Sequence, residues 1–501
     1  MSHIDNELIN FDTIPKHIDV LELFICKFEQ RYNELVHRRT ELIYEIEIMK
    51  KESQQDLIYI NNSLIKMLLN VNTIKTVEYW KREEINVGLK RKLIIIEKLI
   101  SSYIPLLKNE LKIVVNTAKK NIDDYFSNID WTRNDYEHRY PYETSSLCRK
   151  SMWESLPRLD DSMNKTAINL INQRNNFARQ YLNNEDVTYV DYLLQLLEFE
   201  KEEFLQSLYE LEKNTREDYF NHINVVEEVQ SIKPWDLKFL FYYPSYNSKI
   251  FNRSLSDILD IVILFFKDIG LDIKEIGISF IGISGRKKTS YLMYESKSSI
   301  KIFLDSNLKG LQLIKTIFSQ VGIALSMVYN KHDDSLYQIE WGIYTNIMEN
   351  IFVQIALSYN FLVERLGISL KDFNEFTTRL KRIQLYEIRR LACLSDLSIQ
   401  SYDKCDQLEK IRSKLEFKYL GIDNANEVRW MRRELYGHNA EFKFSKLISI
   451  VLANQITNRF ISDDNLHLIL TEKLVNYLDE YIWSPGNSIS FKDRYINLIN
   501  N

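Results

Sequence analysis

Residues 317–325 read Ile317-Phe318-Ser319-Gln320-Val321-Gly322-Ile323-Ala324-Leu325. The run sits in a helical pattern that extends from about residue 308 toward the C-terminus. Ser319 and Ile323 are four apart, so they share one helical face, and Gln320 follows the first of them. Two histidines at that spacing bind zinc, and a glutamate after the first activates water. Here a serine, an isoleucine and an amide occupy the three places. Serine is a poor zinc ligand and isoleucine is none. An amide accepts no proton at neutral pH and cannot act as general base.

Working outward, the apolar period changes just before this run. In Ile276-Gly277-Ile278-Ser279-Phe280 apolar and small residues alternate, and Ile281 and Ile283 extend the stretch. With Ser290–Tyr294 and Ile300–Leu304 this predicts short strands, the one β region of the chain. Elsewhere the period is helical. Residues 18–67 place Leu21, Phe24, Ile25, Phe28, Tyr32, Leu35, Ile43 and Ile46 on one face, and 75–125 repeat the pattern. Two long antiparallel helices are the simplest reading, either packed on the body or offered to a partner as a coiled coil. Residues 126–160 lack periodicity and read as a loop or junction. Helices resume over about 162–230, and 254–270 is another.

Three stretches, in order, resemble the oligoendopeptidase F and thimet oligopeptidase family of zinc metallopeptidases. They are Lys233-Pro234-Trp235-Asp236-Leu237, then Gly285-Arg286-Lys287 with the strand segment ending at Asp305, then the run at 317–325. The last is similar to the family's zinc helix, Leu-Phe-His-Glu-Phe-Gly-His-Ala-Leu. Asn172-Gln173-Arg174-Asn175-Asn176-Phe177-Ala178 and Tyr189–Tyr192 resemble its helical region as well. The likeness spans roughly 164–450; residues 1–160 match only as helical.

The resemblance implies a mainly α fold: a zincin-like oligopeptidase body with a long N-terminal helical region, one small β-sheet or hairpin region and a deep groove between lobes. It implies three blocks: 1–160, an N-terminal long-helix hairpin region; 161–232, a helical region of the body; and 233–501, a degenerate catalytic domain. It places the degenerate metal-ligand positions at Ser319 and Ile323 and the degenerate general base at Gln320. The family's third ligand falls on Glu349, a residual ligand, with Glu340 the other glutamate nearby. A late tyrosine-rich stretch of the family resembles Tyr436-Gly437-His438-Asn439-Ala440-Glu441-Phe442-Lys443-Phe444. Phenylalanines at 442 and 444 lack the hydroxyls that would stabilise an oxyanion. Candidates for a peptide groove are Gly285, Arg286, Tyr291, Tyr436 and His438.

The rest of the sequence excludes other chemistry. The eight histidines include no pair four apart. His332-Asp333-Asp334 is the other cluster able to touch a metal, with a solvated loop as the plainer reading. There is no phosphate-binding glycine loop and no Gly-x-Ser-x-Gly elbow. The 501 residues carry 65 basic and 70 acidic side chains, a formal charge of −5, which argues against a nucleic-acid partner held by bulk charge. The 12 glycines and 7 prolines suit long helices. Four scattered cysteines suit a reducing compartment. The first residues carry acids and no apolar h-region. The longest strongly apolar run, Ile261–Phe266, is too short to span a membrane. A cytoplasmic location, no cofactor and no membrane partner are expected.

The function expected from these observations is that of a catalytically inactive peptidase homologue, a pseudopeptidase. It would bind a peptide or protein segment in the former substrate groove, as a scaffold or as an accessory to a partner enzyme. β-Augmentation on a strand edge between Ile276 and Leu304 needs no zinc. Two alternatives stand: an enzyme with a repurposed cavity acting on peptides without zinc, and an interaction protein working through its N-terminal helices.

Overall fold

The computed structural model describes residues 14–103, 142–155, 161–226, 232–242, 253–283, 290–296, 298–338, 342–422, 440–460 and 472–494. Gly285, Arg286, Glu340, Tyr436 and His438 lie outside them, as does most of the segment 126–160. The chain forms two compact units. One comprises Met1–Ile104, Ser248–Gly367 and Ala453–Asn501, the other Pro105–Asn247 and Ile368–Leu452.

In the first unit the N-terminal region is helical, as the spacing predicts, but among the described residues four helices stand where two long ones were expected. They run Ile18–Glu47, Gln54–Leu68, Val71–Trp80 and Val87–Tyr103. Local chemistry makes the breaks. Lys50 takes a left-handed φ of 56°, which a helix cannot continue through. Asn70 accepts from the backbone N–H groups of Asn72 and Thr73 at 2.8 and 3.4 Å. Asn86 accepts from Leu89 N at 2.8 Å. Both asparagines satisfy N–H groups that a starting helix leaves unpaired. The predicted face is the one that packs: Leu21, Phe24, Ile25, Phe28, Tyr32 and Leu35 are buried. Phe28 stacks between Phe24 and Tyr32, with centroids 6.4 and 6.3 Å away.

The β region folds as a three-stranded sheet of β1 (Ile278–Ile283), β2 (Ser290–Ser296) and β3 (Ser299–Asp305). Its order is β1-β3-β2, with β3 central. β2 pairs antiparallel with β3, the predicted hairpin, while β1 runs parallel to β3 with Ile278 opposite Ile300. The turn into β1 requires glycine at 277. Its φ is +92°, and a Cβ there would sit 2.0 Å from the Ser298 carbonyl oxygen. One sheet face carries Phe303 against Tyr44 of the first helix, centroids 5.1 Å apart. Ile300, Ile302 and Leu304 point the other way and are fully buried. β3 then leads into the helix Gly310–Tyr329, which packs on β2 and β3. By length and composition this helix, unlike any run picked out in the sequence, is apolar enough to cross a membrane. Its apolar positions are instead core: Leu313, Ile314, Ile317, Phe318, Val321, Ala324 and Leu325 are buried.

The second unit is built from long helices that include Asp161–Leu182, Tyr189–Leu196, Lys201–Val226, Leu370–Asp403 and Leu408–Leu420. Buried polar bonds pin them. Asp236, of the Trp-Asp-Leu stretch, accepts from Arg149 Nε and Nη2 at 2.9 and 2.5 Å and from Ser146 Oγ at 3.0 Å. Arg149 also donates to the carbonyls of Glu143 and Thr144. Arg174 donates to Tyr402 Oη at 2.8 Å, and Asn175 donates to the Tyr402 carbonyl while accepting from Tyr189 N. Arg389 is wholly buried. It donates to Glu212, to Thr215 Oγ1 and to the carbonyls of Glu212, Lys418 and Tyr419.

Removing one member of a buried ion pair strands the other. Asp236→Ala is therefore expected to lower unfolding stability by about 3–5 kcal/mol, read from the urea midpoint. A loss below about 1 kcal/mol would mean that Arg149 is solvated and the pair is not a structural pin.

Candidate functional site

The helix Gly310–Tyr329 presents one partly accessible stripe. Gln312, Thr316, Gln320, Ile323 and Met327 recur at spacings of three and four and retain solvent exposure, while Leu313, Ile314, Ile317, Phe318, Val321, Ala324 and Leu325 are buried. Of the three positions singled out in the sequence, Gln320 and Ile323 lie on that stripe, and Ser319 is buried at its border. The opposite side is aromatic. Phe318 meets Phe361, Phe266 and Phe265 with centroids 4.7, 5.2 and 5.8 Å away.

Glu349 stands half-buried on the helix Gly342–Ala356, which packs along the first. Gly322 makes this packing close. A Cβ at 322 would lie 2.6 and 2.7 Å from Phe352 ring carbons and 3.0 Å from the Met348 carbonyl oxygen. The fold thus brings Ser319, Gln320, Ile323 and Glu349 onto two neighbouring, tightly packed helices. Ser319 Oγ, the Gln320 amide and the Glu349 carboxylate have no protein hydrogen-bond partner among the described residues. This donor set does not suit zinc. A hydroxyl and an isoleucine stand where two imidazoles would be needed, and a single carboxylate is left to coordinate. Among the described residues no group of three or more His, Cys, Asp or Glu side chains is placed to hold a metal ion.

The other sequence candidates take structural places. Tyr291, in β2, donates to the Thr40 carbonyl at 3.2 Å and packs on Phe303. Burial, and then the nearby Glu47 carboxylate, push its phenol up to about 12. The His332-Asp333-Asp334 cluster is pulled apart: the His332 ring is 3.0 Å from the Pro485 carbonyl, and Asp334 pairs with Lys92 at 2.9 Å. Phe444, read as a lost hydroxyl, is core, with its ring 5.0 Å from Phe204. Cys393 is buried, and burial together with Glu416 and Asp396 holds its thiol well above the usual range, so it is no thiolate nucleophile.

One residue escaped the sequence reading. Lys315 precedes Ser319 by one turn on the same face. It keeps part of its surface open to solvent, yet the protein crowded around its ammonium pushes the pKa below the ordinary lysine value. It has no carboxylate partner among the described residues. A lysine in an apolar helix reads in sequence as a solvated charge, and no spacing rule could have marked it.

No family model matches the sequence, and no curated protein does. The fold has counterparts among solved structures. A carboxypeptidase from Pyrococcus furiosus superposes with a TM-score of 0.61 at 14% identity, over 98% of this chain and 97% of that one. Metallocarboxypeptidase 1 of Trypanosoma cruzi gives 0.62 at 11% identity, over 97% of each. The M32 carboxypeptidase of Deinococcus radiodurans R1 gives 0.60 at 9%, over 96% of each. At such identities the likeness is one of fold. The chain is mainly helical with one small sheet among the described residues, a fold it shares with these carboxypeptidases. These counterparts are carboxypeptidases and do not single out the oligoendopeptidase F branch, so the finer placement gives way to the coarser one.

Gly322→Ala should cost about 1–3 kcal/mol, because the new methyl enters the Phe352 ring. Phe352→Leu should relieve part of that loss in the double variant. Lys315→Met should raise thermal stability at neutral pH. A lysine whose folded pKa is depressed destabilises the fold while it is charged, and stability rises with pH between the folded and unfolded pKa values. The gain from Lys315→Met should therefore shrink as pH climbs toward about 10.4. A gain that is flat across this range would place the ammonium in bulk water.

Proposed function

We propose that the chain is a catalytically inactive metallopeptidase homologue that binds a peptide or protein segment. The carrying observation is the helix pair itself. Its close packing through Gly322 persists, while the positions of two metal ligands and the general base hold Ser319, Ile323 and Gln320. Three unpartnered polar groups, Ser319 Oγ, the Gln320 amide and the Glu349 carboxylate, remain free to hydrogen-bond a ligand backbone. β1 supports the same reading. It is an edge strand among the described residues, and Ser279, Ile281 and Gly282 are exposed, which suits an added strand.

In this reading the groove is the former substrate groove of an oligopeptidase body of the oligoendopeptidase F type. Tyr291, bonded to the Thr40 carbonyl and packed on Phe303, supports the sheet that would carry the bound segment. The bound segment is presented to a partner enzyme or held as a scaffold, in the cytoplasm.

Purified protein is expected to carry no stoichiometric zinc and to show no chelator-sensitive peptide cleavage. The triple variant Ser319→His, Gln320→Glu, Ile323→His should bind one zinc per chain, with further loss on Glu349→Ala. Stoichiometric zinc and chelator-sensitive cleavage in the natural chain would refute the reading. A triple variant that folds but binds no metal would show that 319, 323 and 349 do not converge.

A further inference from the structure

In the second unit three basic groups gather, none of them paired with a carboxylate among the described residues. His222 lies on the helix Lys201–Val226, and Arg379 and Arg382 lie one turn apart on Leu370–Asp403. The Arg379 guanidinium donates to the Tyr242 carbonyl, and the His222 ring packs 5.2 Å from Phe241. Two nitrogens are left over: Arg379 Nε and His222 Nε2 are both buried with no hydrogen-bond partner. On the same helix Glu375, one turn before Arg379, is exposed and makes no ion pair with it, and Glu387 is engaged by Tyr242 Oη at 2.7 Å and by Arg390 at 2.9 Å.

We propose that His222, Arg379 and Arg382 form a receptor for an oxyanion, a phosphate or carboxylate group of a ligand from outside the chain.

The electrostatics agree. Arg382 acts on both His222 and Arg379, Tyr142 acts on Arg379, and the Leu240 backbone bonds His222. Burial first, then the Arg382 charge, holds His222 below its usual range. Burial likewise lowers Arg379, with Arg382 adding to the effect. Like charges gathered away from water are retained at a cost unless an anion offsets them. The contrast with Arg149 and Arg389 is direct, since each of those guanidiniums has a carboxylate and several carbonyls. Guanidinium donors spaced one helical turn apart suit the spread oxygens of a phosphate or carboxylate, and His222 Nε2 offers a further donor once protonated. The site belongs entirely to the second unit and is independent of the reading of residues 319–323.

The test uses the full chain and inorganic phosphate, titrated against chloride at constant ionic strength. Phosphate should raise the thermal midpoint and move the His222 pKa, followed by NMR of the imidazole, upward. Arg382→Gln should weaken phosphate binding at least about ten-fold, the loss of one charge-assisted bond. Arg382→Lys, which keeps the charge without the fork, should fall between. Phosphoserine and succinate, compared with inorganic phosphate, separate a phosphate source from a carboxylate source, and a preference for either supports the site. The proposal is overturned if phosphate leaves both the midpoint and the His222 titration of the natural chain unchanged. It is equally overturned if Arg382→Gln responds as the natural chain does.

Discussion

The contact of Gly322 with the Phe352 ring and the Met348 carbonyl governs the arrangement of the candidate site. It lets the helices Gly310–Tyr329 and Gly342–Ala356 approach more closely than any side chain at 322 would allow. On the far side, Phe318 is clamped among Phe265, Phe266 and Phe361. A metal bound between these helices would add a cross-link to a pair already joined by aromatic packing. The pairing of the helices therefore does not depend on coordination. This explains how serine, glutamine and isoleucine can occupy 319, 320 and 323 while the helix remains a core element.

The second unit relies on a different principle. Its helices are joined by buried guanidiniums and amides whose hydrogen bonds are nearly complete: Arg149 with Asp236, Arg389 with Glu212 and the Tyr419 carbonyl, Arg174 and Asn175 with Tyr402. Such groups add little net stability over an apolar substitute but penalise any wrong pairing heavily. Against that background Arg379 and Arg412 are exceptions, since Nε of the first and Nε and Nη1 of the second are buried without a hydrogen-bond partner.

Much of the scaffold is legible in local pattern. Alternation at 276–283, 290–296 and 299–305 marks the strands, because side chains on a strand change face at every residue. The packed face of the first helix follows from the spacing of Leu21, Phe24, Phe28 and Tyr32. The break at Asn70 falls in the gap that the spacing leaves between 67 and 75; those at Lys50 and Asn86 were less legible, because only backbone conformation and a capping bond make them. The parallel pairing of β1 with β3 was equally hidden, since a hairpin reading accounts for the same alternation. The Trp-Asp-Leu stretch stood out in sequence, but its role rests on Arg149, far away in the chain.

The sequence by itself determined the chemistry at 319, 320 and 323, because ligand strength and basicity are properties of the side chain, whatever surrounds it. It also determined the helical and strand periods. Only the tertiary structure decided which of those positions face accessible space, that Glu349 rides on the helix packed against them, and that Gly322 sets the spacing. The same holds for the crowding of Lys315 and for the gathering of His222, Arg379 and Arg382. Desolvation and Coulomb interactions depend on distance in space, and residues far apart in the chain acquire that distance only on folding.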